Sequence, residues 1–276
     1  MTAIDDVIKR IHNLPSLPAV VAELLSSMEQ EDIDVHALAG KIALDQALTA
    51  KTLRLANSSF YGLPSKVNSI QQAISVLGFH SIRTLVTACS VTGSFAPTPG
   101  LEFDFEAFWR HAVGTAVCAR ALAPQIRLSP ETAFTAGLLH DLGTLVLATR
   151  FPKEYSEVEA YHQQHDCTTS AAERAVFGFD HAGIGSALAA YWKFPLPIQQ
   201  AVEEHHQPPP TSSLSTVIYL ANVLAHALDF SGQEDDQVPP LSKQAWALLN
   251  LSESSGFALF SEAEHLFDDM CQILVH

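Results

Sequence analysis

The segment AGLLHDLGT, residues 136–144, places His140 and Asp141 side by side in an otherwise apolar stretch. Burying an unpaired charge in such surroundings is costly, so both side chains need partners. A buried imidazole beside a carboxylate can bind a divalent transition metal such as iron, manganese or zinc. Hydrogen bonds within the core could also satisfy the pair, and this segment alone leaves both interpretations open.

Further ligand-capable residues lie on segments with helical spacing, where each shares a face with apolar residues three, four or seven positions away. Such residues should point toward the interior of the protein. They are His111, His181, His205 with its neighbour His206, and Asn222. A single inward histidine is more often a hydrogen-bonded core residue than a ligand, but a set on successive helices favours a metal site.

Helical signals dominate the chain and alternating strand-like segments are almost absent, so we expect an all-α fold of short helices. Ser and Asp side chains accept hydrogen bonds at helix starts, and a Glu or Gln three residues later completes a capping box. The helix that starts at Pro130 is expected to carry His140 and Asp141. The predicted caps are Asp45, Ser69 with Gln72, Ser129, Ser170 with Glu173, and Asp180.

Segments rich in helix-breaking residues divide the chain into three predicted parts. The segment APTPG at 96–100 separates a helical N-terminal lobe, residues 1–100, from a second lobe, residues 101–230, which holds the candidate metal ligands. The acidic loop at 231–240 opens the third part, residues 231–276. That part should end in a helix whose apolar face packs on the body of the protein.

The composition limits the functions that the chain can have. It contains 276 residues, of which 30 are acidic and 15 basic, for a formal net charge of −15. Binding of nucleic acid is not expected, because it needs clustered basic residues to neutralise phosphates. The sequence shows no signal peptide, no run of about 18 apolar residues and no CxxC pair among its four cysteines. We therefore expect a cytoplasmic protein with reduced thiols and no membrane contact.

Four segments resemble the HDOD domain, a member of the HD superfamily, and the resemblance covers roughly residues 10–226. It implies an all-α, multi-helix HD-superfamily bundle with a helical N-terminal lobe. The segments are LPSLPAVVAELL (14–25), LDQALTAKTLRLANSSFYG (44–62), SIQQAISVLG (69–78) and FDHAGIGSALAAYWKFPLPIQQAVEEHH (179–206).

The resemblance also implies a set of metal ligands. Members of the HD superfamily bind metal through a histidine, an adjacent His-Asp pair and a later aspartate, and they hydrolyse phosphate esters. The related HD-GYP enzymes open cyclic dinucleotides with two or more metals and have additional histidines. By this resemblance the ligands of one or two divalent ions are His111, His140, Asp141, His181, His205, His206 and Asn222. Asp141 would bridge two ions, which makes it the candidate catalytic residue.

Two positions depart from the pattern of the enzymes. Asn222 stands in place of the final aspartate and offers only a neutral carbonyl oxygen, so it should hold a divalent cation less firmly. Asp229 lies seven residues further on, about 10 Å by helix rise, which is too far to replace it. Thr144 stands where HD-GYP enzymes carry a lysine, and threonine cannot supply its charge to a phosphate. The Gly-Tyr-Pro signature is also absent, and HHQPPP (205–210) stands near its place.

Two main functions follow from these residues. The first is a regulatory protein of bacterial signalling that binds other signalling proteins and could recognise a phosphorylated small molecule, with weakened or absent phosphohydrolase activity. The second is a metal-dependent phosphohydrolase that acts on a nucleotide or cyclic dinucleotide through a metal-activated water. A purely structural or interaction role is the third alternative. In the N-terminal lobe, Asn57 and Ser58 are predicted to bond nearby backbone, and Phe60 and Tyr61 to anchor packing.

Overall fold

A computed structural model describes residues 17–26, 34–95, 103–210, 213–233 and 237–275. Throughout these ranges the regular structure is helical and no strand occurs, which confirms the predicted all-α class. The helices are α1 (Ala19–Ser26), α2 (Val35–Ala43), α3 (Gln46–Ala56), α4 (Ile70–Leu77), α5 (Phe79–Ser94), α6 (Phe105–Leu122), α7 (Pro130–Leu139), α8 (Leu142–Arg150), α9 (Pro152–His165), α10 (Thr169–Phe177), α11 (His181–Tyr191), α12 (Leu196–Glu204), α13 (Ser213–Ala227), α14 (Lys243–Ala247) and α15 (Glu253–Leu274). A short 3-10 helix, Ala123–Ile126, extends α6.

Side-chain caps begin several helices where the sequence places them. The caps Asp45, Ser69, Ser129 and Asp180 each accept a hydrogen bond from the backbone N–H three residues ahead. The predicted cap at Ser170 is wrong, because Thr168 caps α10 through the N–H of Ala171 and Ser170 lies inside the helix. Glu173 is consequently not a capping-box residue, and its carboxylate has a different partner.

Helix α6 lies at the centre of the fold. Most of its residues are buried, and it packs chiefly against α7, α13 and α15. Around it, α11 packs against α8 and α12, and α10 packs against α9. The apolar core runs continuously from the N-terminal helices to α15. Every segment that carries a candidate ligand therefore converges on the same interior.

The expectation that one helix carries His140 and Asp141 is wrong, because α7 ends at Leu139 and α8 begins at Leu142. Asp141 has φ −104° and ψ 8°, outside the helical region, and this break redirects the chain. Beyond the break, α8 lies so close to α11 that a Cβ on Gly143 would be 2.0 Å from the carbonyl oxygen of His181. Only a glycine at 143 permits this approach of the two backbones.

The Asn57 side chain fixes the turn that follows α3. Its Nδ2 donates to the carbonyl oxygens of Leu53 (2.9 Å) and Val67 (2.8 Å), and its Oδ1 accepts from the N–H of Val67 (2.8 Å). Ser58 Oγ donates to the Leu55 carbonyl oxygen at 2.7 Å. These bonds close a loop of about ten residues onto the end of α3.

The predicted division into three parts stays a prediction. The segment at 96–100 lies outside the described residues, as do residues 234–236 of the acidic loop. In the third part, α15 packs against α6 and α3. Among the residues that the structure describes, no helix has both the length and the apolar character needed to cross a bilayer.

Candidate metal centre

The Asp141 carboxylate lies between two groups of imidazoles. Its Oδ2 is 3.0 Å from His140 Nε2 and 3.6 Å from His111 Nε2. Its Oδ1 is 3.3 Å from both His181 Nε2 and His205 Nε2. Each oxygen of one carboxylate thus faces two ring nitrogens, which is the arrangement expected of a ligand that bridges two metal ions.

The donor atoms form two groups that could each hold an ion. One consists of His111, His140 and Asp141, and the other of His181, His205 and His206; within each group the ligand atoms lie within 4.8 Å of one another. The groups come from α6, the α7–α8 junction, the start of α11 and the end of α12. The structure therefore brings together six of the seven predicted ligands.

Hydrogen bonds on the far side of the rings set their orientation. The Nδ1 of His140 bonds the Gly137 carbonyl oxygen at 2.7 Å, and the Nδ1 of His205 bonds the Val202 carbonyl oxygen at 2.6 Å. A carbonyl oxygen can only accept, so both rings carry their proton on Nδ1. In the neutral ring, Nε2 then presents its lone pair to the interior, as in histidines that bind metal.

Crowding of the inward nitrogens supports a metal site. The Nε2 atoms of His111 and His140 are 3.3 Å apart, those of His181 and His205 3.4 Å, and those of His181 and His206 2.9 Å. The inward lone pairs of His140 and His205 each need a proton on the facing nitrogen or a cation between the rings, and the nearby Asp141 carboxylate favours a cation. A nitrogen-rich set with one carboxylate suits iron, manganese or zinc.

Protonation in the absence of a cation follows from the same contacts. Burial alone would raise the pKa of Asp141, but the charge of His140 and hydrogen bonds from His140, His181 and His205 hold that pKa well below its usual range. Burial would lower the pKa of His181, but Glu173 and Asp141 raise it well above its usual value. Burial lowers the pKa values of His205 and His206. Without a cation, a charged His181 would thus lie between the carboxylates of Glu173 and Asp141.

Asn222, the seventh predicted ligand, lies on α13, which packs against α6. It is 5% exposed, and its Oδ1 is buried with no hydrogen-bond partner. An unpaired buried carbonyl oxygen is unfavourable, and a cation would satisfy it. Asp229 is exposed beyond the end of α13 and does not substitute for it. Thr144 lies in the first turn of α8, with its N–H bonded to the Asp141 carbonyl oxygen at 2.9 Å.

Glu173 is a buried carboxylate whose contact with the candidate ligand His181 was not predicted from the sequence. Its side chain on α10 is fully buried, and its Oε2 accepts from the His181 N–H at 2.8 Å and from His181 Nδ1 at 2.6 Å. A carboxylate behind a ligating histidine fixes the ring and raises its basicity. The local spacing of Ser170 and Glu173 indicated a capping box, and no local signal revealed the contact with His181.

His226, one turn after Asn222 on α13, was also missed. Its ring lies 4.4 Å from the ring of His111, centroid to centroid, at an interplanar angle of 39°. Residues four apart share a helical face, so Asn222 and His226 both face α6. The four-residue spacing of Asn222 and His226 is visible in the sequence. His226 is only half-buried, however, and its sequence neighbours do not mark it as an inward-facing residue.

The fold and the site define an all-helical protein with an interior histidine–aspartate cluster of the HD type. The HDOD domain family matches residues 14–208, more than half of the chain, and the chain belongs to this family. The matched range includes both groups of donor atoms and ends before α13.

Similar proteins come from several bacteria. A protein of Shewanella amazonensis SB2B, provisionally named a phosphohydrolase, has a solved structure that is 29% identical; the match covers 97% of each chain with a TM-score of 0.78. An HDOD domain protein of unknown function from Geobacter sulfurreducens is 24% identical over 98% of this chain and 95% of that one, with a TM-score of 0.76. An uncharacterized protein of Treponema pallidum (strain Nichols) is 24% identical over 226 residues, which are 80% of this chain and 44% of the relative. The chain thus spans less than half the length of that relative.

Proposed function

We propose that the chain is a regulatory HDOD module of bacterial signal transduction that holds one or two divalent transition metal ions and has weakened or no phosphohydrolase activity. The observation that carries the metal site is the Asp141 carboxylate, whose two oxygens each face two histidine nitrogens. Iron, manganese and zinc all suit this donor set.

The ligands divide between two ions. His111, His140 and one oxygen of Asp141 would hold the first ion, with Asn222 Oδ1 as a neutral donor. The other oxygen of Asp141 would hold the second ion, together with His181, His205 and His206. Bound ions would supply Lewis acidity and an activated water.

Two features of the chain favour regulation over hydrolysis. Asn222 contributes no negative charge to the centre. An aspartate at this position would neutralise one more unit of the charge of the bound cations. Thr144 places no cation beside the centre for a phosphate. The net charge of −15 favours protein partners over nucleic acid, and we propose other signalling proteins as those partners.

A phosphohydrolase is the second candidate. Two observations favour it: six of the seven predicted ligands are assembled, and a protein 29% identical over nearly its whole length is provisionally named a phosphohydrolase. The substrate class would be a nucleotide or cyclic dinucleotide. Assays with cyclic dinucleotides and a simple phosphodiester, at the metal content found on purification, separate the two candidates.

Elemental analysis of protein purified without a tag or chelator tests the centre. We expect close to two equivalents of metal in the wild-type protein. Asp141→Asn keeps the shape of the side chain but loses its charge, so it should hold fewer. Asn222→Asp should retain metal more firmly. Asp229→Asn is the matched control, since it removes an exposed carboxylate after the same helix. A folded wild-type protein without metal would refute the centre, and an Asn222→Asp variant that holds metal no better would remove Asn222 from the ligands. Hydrolysis restored in Asn222→Asp alone would support a regulatory module derived from an enzyme.

A further inference from the structure

A cleft of about 490 Å³, separate from the candidate metal centre, lies between α3, the turn segment 57–68 and the last turns of α15. None of the residues that line it belongs to the candidate metal centre. Asn57 and Ser58 of the LANSSFYG segment line the cleft, and neither belongs to that centre. The volume falls in the range of small-molecule sites, about 300–1,000 Å³.

Hydrogen bonds between the walls hold the cleft in shape. The Asn57 side chain ties the end of α3 to Val67 through three bonds. From the opposite wall, Asp269 Oδ2 accepts from the Ser59 N–H at 3.1 Å and also from the Ser59 hydroxyl. Walls fixed in this way lose little conformational freedom when a ligand binds.

The charge of the cleft is opposite to that of the whole chain. Arg54 and Lys66 both line it and are both exposed. The only bond that Arg54 makes within the described ranges is a long one, 3.5 Å, to the Gln272 carbonyl oxygen, and no carboxylate of those ranges lies within 4.0 Å of either cation. Asp269, the one acid in the lining, is already bonded to Ser59. Two cations without carboxylate partners in a chain with twice as many acids as bases point to an anionic ligand.

We propose that this cleft binds a small phosphorylated molecule, with its phosphate between Arg54 and Lys66. A guanidinium presents paired N–H donors that match phosphate oxygens, and an ammonium adds a mobile charge. The exposed amides of Asn68 and Gln272 on the facing walls can then bond the polar remainder of the ligand. The proposal is independent of the metal centre and goes beyond the proposed function.

Calorimetric titration of the full chain with AMP, GMP, pyrophosphate and adenosine tests this proposal. The protein is first treated with chelator and carries Asp141→Asn, so that phosphate cannot bind through metal. We expect saturable binding of at least one phosphorylated probe and at least tenfold weaker binding of adenosine. The double variant Arg54→Gln/Lys66→Gln should lose at least tenfold in affinity, while Lys153→Gln, an exposed base outside the cleft, should change nothing.

Three outcomes would overturn the proposal. The first is the absence of binding by all phosphorylated probes at millimolar concentration. The second is equal affinity for adenosine and AMP, which would show that phosphate is not recognised. The third is unchanged affinity in the double variant, which would place the ligand elsewhere. None of these results bears on metal content, so failure here is distinguishable from failure of the proposed metal centre.

Discussion

Glu173 controls how His181 faces the proposed metal centre, and its replacement should weaken metal binding without touching any donor atom. The fully buried carboxylate accepts two bonds from His181, at 2.8 Å from the backbone N–H and 2.6 Å from Nδ1. It therefore keeps the ring proton on Nδ1 and leaves Nε2 free to face Asp141 Oδ1 at 3.3 Å. Glu173→Gln keeps an oxygen acceptor and removes only the charge, whereas Glu173→Ala removes both bonds.

The expected magnitudes follow from these contacts. Loss of a partner behind a ligating histidine lowers metal affinity by about 10- to 100-fold. We expect Glu173→Gln at the lower end, about tenfold, because the Nδ1–H bond survives. In Glu173→Ala the ring can rotate and the proton can move to Nε2, so about 100-fold is expected. The alanine variant also leaves buried donors unpaired, which should lower the free energy of unfolding by about 1–3 kcal/mol.

Competition with a chromogenic chelator measures the two ions separately. The ion held by His181, His205 and His206 should be lost first, while the other is retained. Ser170→Ala is the matched control, because Ser170 is also buried on α10 but bonds Thr168 and Arg174 instead of His181. If Glu173→Ala kept both ions at wild-type affinity, the orienting role of Glu173 would be refuted. Equal losses in the Gln and Ala variants would show that the charge matters and the hydrogen bonds do not.

Three further predictions concern packing, stacking and pH. Gly143→Ala should lower the free energy of unfolding by about 1–3 kcal/mol and reduce metal content, whereas Gly183→Ala, whose Cβ meets nothing within 4 Å, should not; denaturant titration of both variants checks this. His226→Ala should weaken metal binding by His111 and its group, and His226→Phe should restore it if ring contact with His111 is the role of His226. Chelator competition decides, and a Phe variant as weak as Ala would instead indicate a polar role. The pH prediction concerns His205 and His206, whose pKa values are lowered by burial. Below about pH 6.5 the unfolded chain therefore takes up protons that the folded chain excludes. The unfolding free energy of chelator-treated protein should then fall by up to about 1.4 kcal/mol per pH unit for each of these histidines between about pH 6.5 and 5. His181 does not oppose this fall, because its raised pKa keeps it protonated in both the folded and the unfolded chain below about pH 6.5. A flat profile would contradict the burial argument.

Local signals in the sequence predicted the helices well but not the contacts between them. Caps such as Asp45 and Asp180 are short-range events, since side chain and N–H lie three residues apart. Glu173 has the same spacing from Ser170 that a capping box requires, but the turn between α10 and α11 brings the start of α11 back to Glu173, which bonds His181 instead. Likewise, the break at Asp141 accompanies the close approach of α8 to α11. The residues next to Asp141 in the sequence carry no signal of that approach.

The inward direction of the donors was predictable, because helical periodicity fixes which face is buried. His111, His181 and His205 share faces with apolar residues, and all three are buried. Their division into two groups was not predictable, since it depends on which oxygen of Asp141 each ring meets. Which oxygen each ring meets depends on the detailed packing of helices that are far apart in sequence.

Helix α13 lies beyond the range that the family model matches, but it is not peculiar to this chain, because a solved structure 29% identical to it covers 97% of both chains. The family match ends at residue 208, after both groups of donors, whereas Asn222 and His226 follow on α13. The matched range holds both groups of histidines around Asp141, and α13 adds the buried neutral oxygen of Asn222 and the ring of His226 beside His111. In the proposed centre the neutral oxygen of Asn222 would hold a cation less firmly than an aspartate, so position 222 would affect both metal retention and hydrolysis. We therefore expect Asn222→Asp to change metal retention in the proposed centre while both groups of histidines stay unchanged.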